Sequence, residues 1–276
     1  MEKNMMWKWV KRILGTIVGL ILILIVGLIG FIGFDALFGD ESTNYTNVSF
    51  EDADGTVLHG YLAEPADSEG DGPFPTVLLI HEWWGLNPGI IVLADALAEE
   101  GYVVLAADAY RGQLTSSVPR ALYLRLTIPD EEVRGDLDTA LEWLQNRPNV
   151  DADRTASMGF CFGGGESLQL GLRQSERLAV TVLYYGTVVT DPELLKPFTE
   201  GKGVLGIFGE EDQQIFAEDV LEFEAALNSL DISNEVTIYE GLGHGFLNEE
   251  NFDQPGSPGD AWNQTLVYLD THLKNR

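Results

Sequence analysis

The segment Ala156-Ser157-Met158-Gly159-Phe160-Cys161-Phe162-Gly163-Gly164-Gly165 constrains the fold of this chain more than any other, and it holds the only cysteine among 276 residues. It reads as a strand that runs into a glycine-flanked cysteine and then into a helix. A nucleophile on so sharp a strand-to-helix turn brings neighbouring backbone close, which leaves room only for glycine at 159 and 163. The first N–H groups of the new helix then point at the sulfur, favouring thiolate and any oxyanion formed beside it.

Two further groups follow in chain order. Val204-Leu205-Gly206-Ile207-Phe208-Gly209 is a short apolar strand that ends in Glu210-Glu211-Asp212, and Glu235-Val236-Thr237-Ile238-Tyr239 is a strand followed by Gly241-Leu242-Gly243-His244-Gly245-Phe246. Nucleophile, acid, histidine is the order of α/β-hydrolases and not that of chymotrypsin or subtilisin. His244 is placed to take the proton, and Asp212 to hold its imidazole in the useful tautomer. Upstream, the buried-type strand Pro75–Ile80 ends in His81-Glu82-Trp83-Trp84-Gly85-Leu86-Asn87. The loop after this strand is expected to supply one oxyanion N–H, from Trp83, beside that of Phe162. Glu82, next to that hole, is a candidate to contact the thiol directly, and His81 to orient the loop.

These four motifs, in this order from about Asn44 to the C-terminus, resemble the dienelactone hydrolase family, α/β-hydrolases with a Cys–His–Asp triad. The resemblance implies that Cys161 attacks an ester or lactone carbonyl. It also implies that Glu82 pairs with the resting cysteine and moves away when substrate binds. It further implies arginines that hold a substrate carboxylate. Here Arg111 follows Tyr110, displaced by one position from the expected place, while Asn248 and Gly245 stand where a second arginine and a serine belong. The reaction class carries over and a dienelactone substrate does not. Trp84, Tyr110 and Arg111 are expected to line the substrate site.

The N-terminus carries an independent signal. Ile13 to Phe34 is 22 residues without a charge, about 33 Å as a helix against a bilayer core of about 30 Å. Lys3, Lys8, Lys11 and Arg12 precede the run, and Asp35, Asp40 and Glu41 follow it. This asymmetry predicts a cytoplasmic N-terminus over residues 1–12, a transmembrane helix over 13–34, and a linker over 35–43. A catalytic domain over 44–276, outside the cytoplasm, completes the chain. A cleaved signal peptide is the competing reading, but its apolar region would be shorter and would end at a small-residue site. Residues 1–34 carry four Lys/Arg and one Glu, so residues 35–276 hold a charge of −31 within the total of −28. Such a surface repels nucleic acid and suits a high-salt environment, where screening removes self-repulsion.

Continuous apolar strands alternating with helices predict an α/β fold with a mostly parallel sheet covered on both faces, preceded by the one transmembrane helix. Val48–Phe50 and Val57–Leu62 read as a hairpin across Asp54-Gly55. The glycines at 159 and 163 do not have dinucleotide-binding spacing. Four histidines and one cysteine make no metal-ligand cluster, so neither cofactor nor metal is expected. The alternatives are a thioesterase, or a membrane-anchored binding domain that keeps the pocket with its aromatic lining but does not turn over.

Overall fold

The computed structural model describes residues 2–66, 72–199 and 202–274. The stretch from Ser68 to Pro75, rich in Gly, Asp and Pro, reads as a loop and lies partly outside the described residues. The elements, in chain order, are α1 (Glu2–Phe38), β1 (Val48–Glu51), β2 (Val57–Ala63), β3 (Phe74–Ile80), α2 (Pro88–Glu99), β4 (Val103–Ala107), α3 (Val118–Thr127) and α4 (Asp130–Gln145). They continue with β5 (Val150–Phe160), α5 (Phe162–Arg173), β6 (Val180–Tyr184), α6 (Pro192–Leu195), β7 (Gly203–Gly209), α7 (Ala217–Ser229), β8 (Asn234–Tyr239) and α8 (Ser257–Leu269).

One eight-stranded sheet runs β1-β2-β4-β3-β5-β6-β7-β8. The hairpin β1–β2 and the β2–β4 pair are antiparallel, and all the other pairs are parallel. Side chains on a strand alternate between faces, and β3 shows the consequence. Val77 and Leu79 enter one core with Leu93 and Leu97 of α2 and Trp262 and Leu269 of α8, while Leu78 and Ile80 enter another with Leu137, Leu141 and Leu144 of α4. Both faces are thereby buried, which is why these strands are apolar throughout. Strand order reverses at β3, whose successor β4 lies on one side and β5 on the other. In open α/β sheets, ligands bind in the crevice at such a reversal, outside the carboxyl ends of the strands.

The sheet and helices match the α/β-hydrolase expectation, with one addition in the stretch after Arg111. The sequence shows no clear strand from Arg111 to Pro129, and this stretch contains α3. The start signals are present in the sequence: Ser117 caps the helix by accepting from Arg120 N–H at 3.4 Å, and Pro119 occupies its first turn.

At the N-terminus, α1 continues past Phe34 to Phe38, and Met5–Phe38 is a helix long and apolar enough to cross a membrane, with a mean hydropathy of 3.0. Residues 35–43, expected as a linker, dock on the domain. Asp35 Oδ2 accepts from Thr115 Oγ1 at 2.8 Å. Ser42 is buried and donates to Asp108 Oδ2 at 2.6 Å, and Glu41 forms a bridge with Gln113.

Candidate active site

Cys161 closes β5 with φ 54° and ψ −115°, a left-handed backbone that a non-glycine residue adopts only where its surroundings enforce it. Close packing is what enforces it. A Cβ on Gly159 would collide with the carbonyl of Gly163, and a Cβ on Gly163 would collide with the carbonyls of Ile80 and His81. The first turn of α5 thus lies against the end of β3, which sets the N–H groups of Phe162 and Trp83 on the same sulfur.

His244 comes from the loop after β8. Its Nε2 lies 3.0 Å from Cys161 Sγ, and its Nδ1 donates to Asp212 Oδ2 at 2.8 Å. Asp212 is buried, and its other oxygen accepts from the N–H groups of Gln214 and Ile215 at 2.7 and 3.0 Å. Both of its oxygens are therefore directed, and Nδ1 carries the proton, which leaves Nε2 as an acceptor toward sulfur. The Tyr185 ring packs edge-on against the imidazole with centroids 5.2 Å apart, and its hydroxyl is tied to the carbonyl of Leu247 at 3.1 Å. Gly245, which replaces the expected serine, has φ 66°, a conformation that glycine adopts without strain.

The electrostatics depart from the expected thiolate. Burial, followed by the Glu82 carboxylate, pushes the Cys161 thiol up to about 12, against the Phe162 and Trp83 N–H groups that pull it down. The raised pKa favours Cys161 as a neutral thiol, hydrogen-bonded to His244. Two backbone dipoles do not offset burial plus an adjacent carboxylate. Glu82 is itself pushed up to about 7, by burial and then by Glu249. It lines a cavity of about 360 Å³ together with Glu249, Leu247 and Asn248. The thiol's hydrogen bond goes to His244, and Glu82 acts on it through charge.

His81 is fully buried. Its Nδ1 donates to the Glu82 carbonyl at 2.6 Å and its Nε2 accepts from Ala109 N–H at 3.1 Å. Burial lowers its pKa and keeps it neutral, so it braces the Glu82–Trp83 backbone.

The cleft at Cys161 has a volume of about 160 Å³, and its walls include Trp83, Phe162, Tyr185, His244 and Arg125. The expected substrate-lining residues lie elsewhere. Arg111 makes a bidentate pair with Asp136 of α4 at 2.7 and 2.8 Å and reaches Glu132 at 3.0 Å. Tyr110 is buried beneath Phe162, with ring centroids 5.3 Å apart. Trp84 turns to a separate cavity of about 470 Å³ beside Asp35, Asp40 and Leu114. Asn248 closes a turn by accepting from Glu250 N–H at 2.9 Å.

The cleft cation is Arg125 of α3, whose guanidinium lies 5.3 Å from the Phe162 ring centroid and pairs with Asp130 at 2.8 Å. The sequence holds no sign of this. An arginine in an amphipathic helix becomes a cleft residue only through the packing of that helix. Among the described residues, no group of three or more His, Cys, Asp or Glu side chains converges as a metal site.

A protein of Bradyrhizobium named a probable 2-oxo-3-(5-oxofuran-2-ylidene)propanoate lactonase is 30% identical over 227 residues, covering 77% of this chain and 89% of its own. A candidate carboxymethylenebutenolidase of Salmonella typhimurium is 31% identical over 232 residues, covering 78% and 83% respectively. The crystal structure of a candidate dienelactone hydrolase of Klebsiella pneumoniae superposes with a TM-score of 0.66 at 26% identity, over 80% of this chain and 98% of that one. The profile of the dienelactone hydrolase family matches residues 58–273, and the chain belongs to that family of ester and lactone hydrolases.

Proposed function

We propose that this protein is a membrane-anchored hydrolase that cleaves an ester or lactone through Cys161, His244 and Asp212, by way of a thioester. The observation that carries this reading is the unbroken line from Cys161 Sγ through His244 to Asp212, with contacts of 3.0 and 2.8 Å. It stands in a cleft toward which two backbone N–H groups point.

Because the resting thiol is neutral, attack and deprotonation are coupled. His244 Nε2 removes the thiol proton as sulfur adds to the carbonyl carbon, and Asp212 stabilises the imidazolium that forms. Phe162 and Trp83 N–H groups hold the resulting oxyanion. Collapse breaks the carbon–oxygen bond, and the imidazolium returns its proton to the leaving alkoxide. Water, deprotonated by His244, then adds to the thioester and releases the acid and the thiol. Protonation of Glu82 removes a negative charge beside the thiolate that develops, so its neutral form favours the first step.

The anchor reading rests on α1, with basic residues before its uncharged run and acids after it. The N-terminus is then cytoplasmic and the catalytic domain lies on the outer side of the cell membrane. The lactonase named among its relatives makes a lactone or activated ester the substrate class to test, with a short acyl part to suit a cleft of about 160 Å³. The test is hydrolysis of short p-nitrophenyl esters and small lactones by the full chain and by Cys161→Ala. Turnover that persists in the variant would exclude the thioester route.

A further inference from the structure

In a domain charged at −31 over residues 35–276, α3 stands apart. Its sequence, Val118-Pro119-Arg120-Ala121-Leu122-Tyr123-Leu124-Arg125-Leu126-Thr127, carries two arginines and no acid. Among the described helices of eight or more residues after α1, it alone lacks a carboxylate. Its outer face is apolar. Val118, Leu122 and Leu126 recur at intervals of four, and with Tyr123 they are 55%, 48%, 75% and 44% exposed. Residues three and four apart share a helix face, so these side chains make one stripe. Among the described residues past 38, the other large exposed hydrophobics are Val57, Val92, Leu194, Phe216, Leu221 and Val267, of which only Phe216 and Leu221 fall at one element, α7. Arg120 does not interrupt the stripe, because it is buried and donates to Gln113 at 2.6 Å.

The place of this stripe identifies what covers it. Asp35 is the first charged residue after the uncharged run of α1, so it marks where a bilayer-crossing helix emerges. Its carboxylate holds Thr115, two residues before the cap of α3, at 2.8 Å, and α1 packs directly on α3. Phe34, Leu37 and Phe38 at the end of α1 are also exposed and apolar. At ten residues, α3 spans about 15 Å, and its far end brings Arg125 to the cleft of Cys161.

We infer that α3 lies on the bilayer surface, with Val118, Leu122, Tyr123 and Leu126 in the headgroup–acyl boundary. The cleft of Cys161 thereby faces membrane-dissolved esters: the short acyl part enters the cleft and an apolar alcohol part lies along α3. As the one long helix after α1 without a carboxylate, α3 meets a bilayer without desolvating negative charge of its own. The inference rests on reading α1 as the membrane anchor.

The test uses the full chain in phosphatidylcholine vesicles with two esters that share an acyl group, p-nitrophenyl acetate in water and hexadecyl acetate in the bilayer. Both pass through the same acetyl-Cys161, so their ratio isolates access. Leu122→Asp/Leu126→Asp is expected to keep p-nitrophenyl acetate turnover, to lose about tenfold on hexadecyl acetate, and to float with the vesicles as wild type does. Leu126→Gln alone, at a side chain with little packing to lose, is expected to lose about threefold. Equal losses on both esters, or none on either, with flotation intact, would overturn the inference while leaving the anchor. Wild type that fails to float would overturn the anchor and the inference together. A wild-type dimer split by the double substitution would assign the stripe to a second copy of the chain instead.

Discussion

His244 Nε2 meets Cys161 Sγ at 3.0 Å although 83 residues of chain separate them, because β5 and β8 end on the same side of the sheet. Asp212, at the end of β7, closes the line from behind. The three groups follow three different strands.

Removing the nucleophile is the most direct test. Cys161→Ala should lower ester turnover by about 10³-fold or more, since the remaining oxyanion donors cannot form an acyl-enzyme. Circular dichroism should be unchanged, because Cys161 is only partly buried and a methyl group fills most of its volume. Persistent turnover would locate the chemistry elsewhere.

Asp212→Asn tests the tautomer. Its first oxygen still accepts from the Gln214 and Ile215 N–H groups, so the amide NH₂ is forced toward His244 Nδ1, where it cannot accept. The imidazole must then turn its N–H toward sulfur, and kcat should fall by about 10³- to 10⁴-fold with little change in thermal stability.

Glu82→Gln separates charge from packing. In wild type, the Glu82 carboxyl titrates near 7 instead of its usual 4.5. Below about pH 4.5 it is protonated both folded and unfolded, and it has no effect on stability. As pH rises toward 7, the folded state keeps a proton that the unfolded chain releases, and stability falls by roughly 3 kcal/mol in all. The variant should therefore melt higher than wild type above pH 7 and match it near pH 4. Its thiol, freed of the neighbouring charge that raises its pKa, should alkylate faster at pH 9. Equal melting curves at pH 8 would rule out the buried charge.

Two arginines should behave in opposite ways. Arg125→Ala removes the cation from the cleft and should raise KM about tenfold for esters bearing a carboxylate, with neutral esters little affected. Arg111→Ala leaves Asp136 buried and unpaired, so it should destabilise the fold by about 2 kcal/mol without changing KM for either ester class. The reverse pattern would restore Arg111 to the substrate site.

What the sequence by itself determined are the features written in local spacing. The glycines at 159 and 163, the apolar runs of a two-faced sheet and the uncharged stretch from Ile13 each follow from backbone sterics or burial within a short window, and the order of Cys161, Asp212 and His244 is read along the chain. The cap at Ser117 and the proline after it also marked α3, although a stretch of mixed polarity concealed the helix. Only the tertiary structure decided which arginine enters the cleft. Arg111 and Arg125 are equally charged, but α4 passes beside Arg111 with Asp136 and Glu132, and α3 delivers Arg125 to Phe162. It likewise decided the direction in which the Cys161 pKa moves. The helix N-terminus legible at Phe162 favours thiolate, while burial and the Glu82 carboxylate from another strand end outweigh it. Local geometry is set by neighbours in the chain, whereas charge partners and solvent exclusion are set by segments distant in sequence that folding brings together.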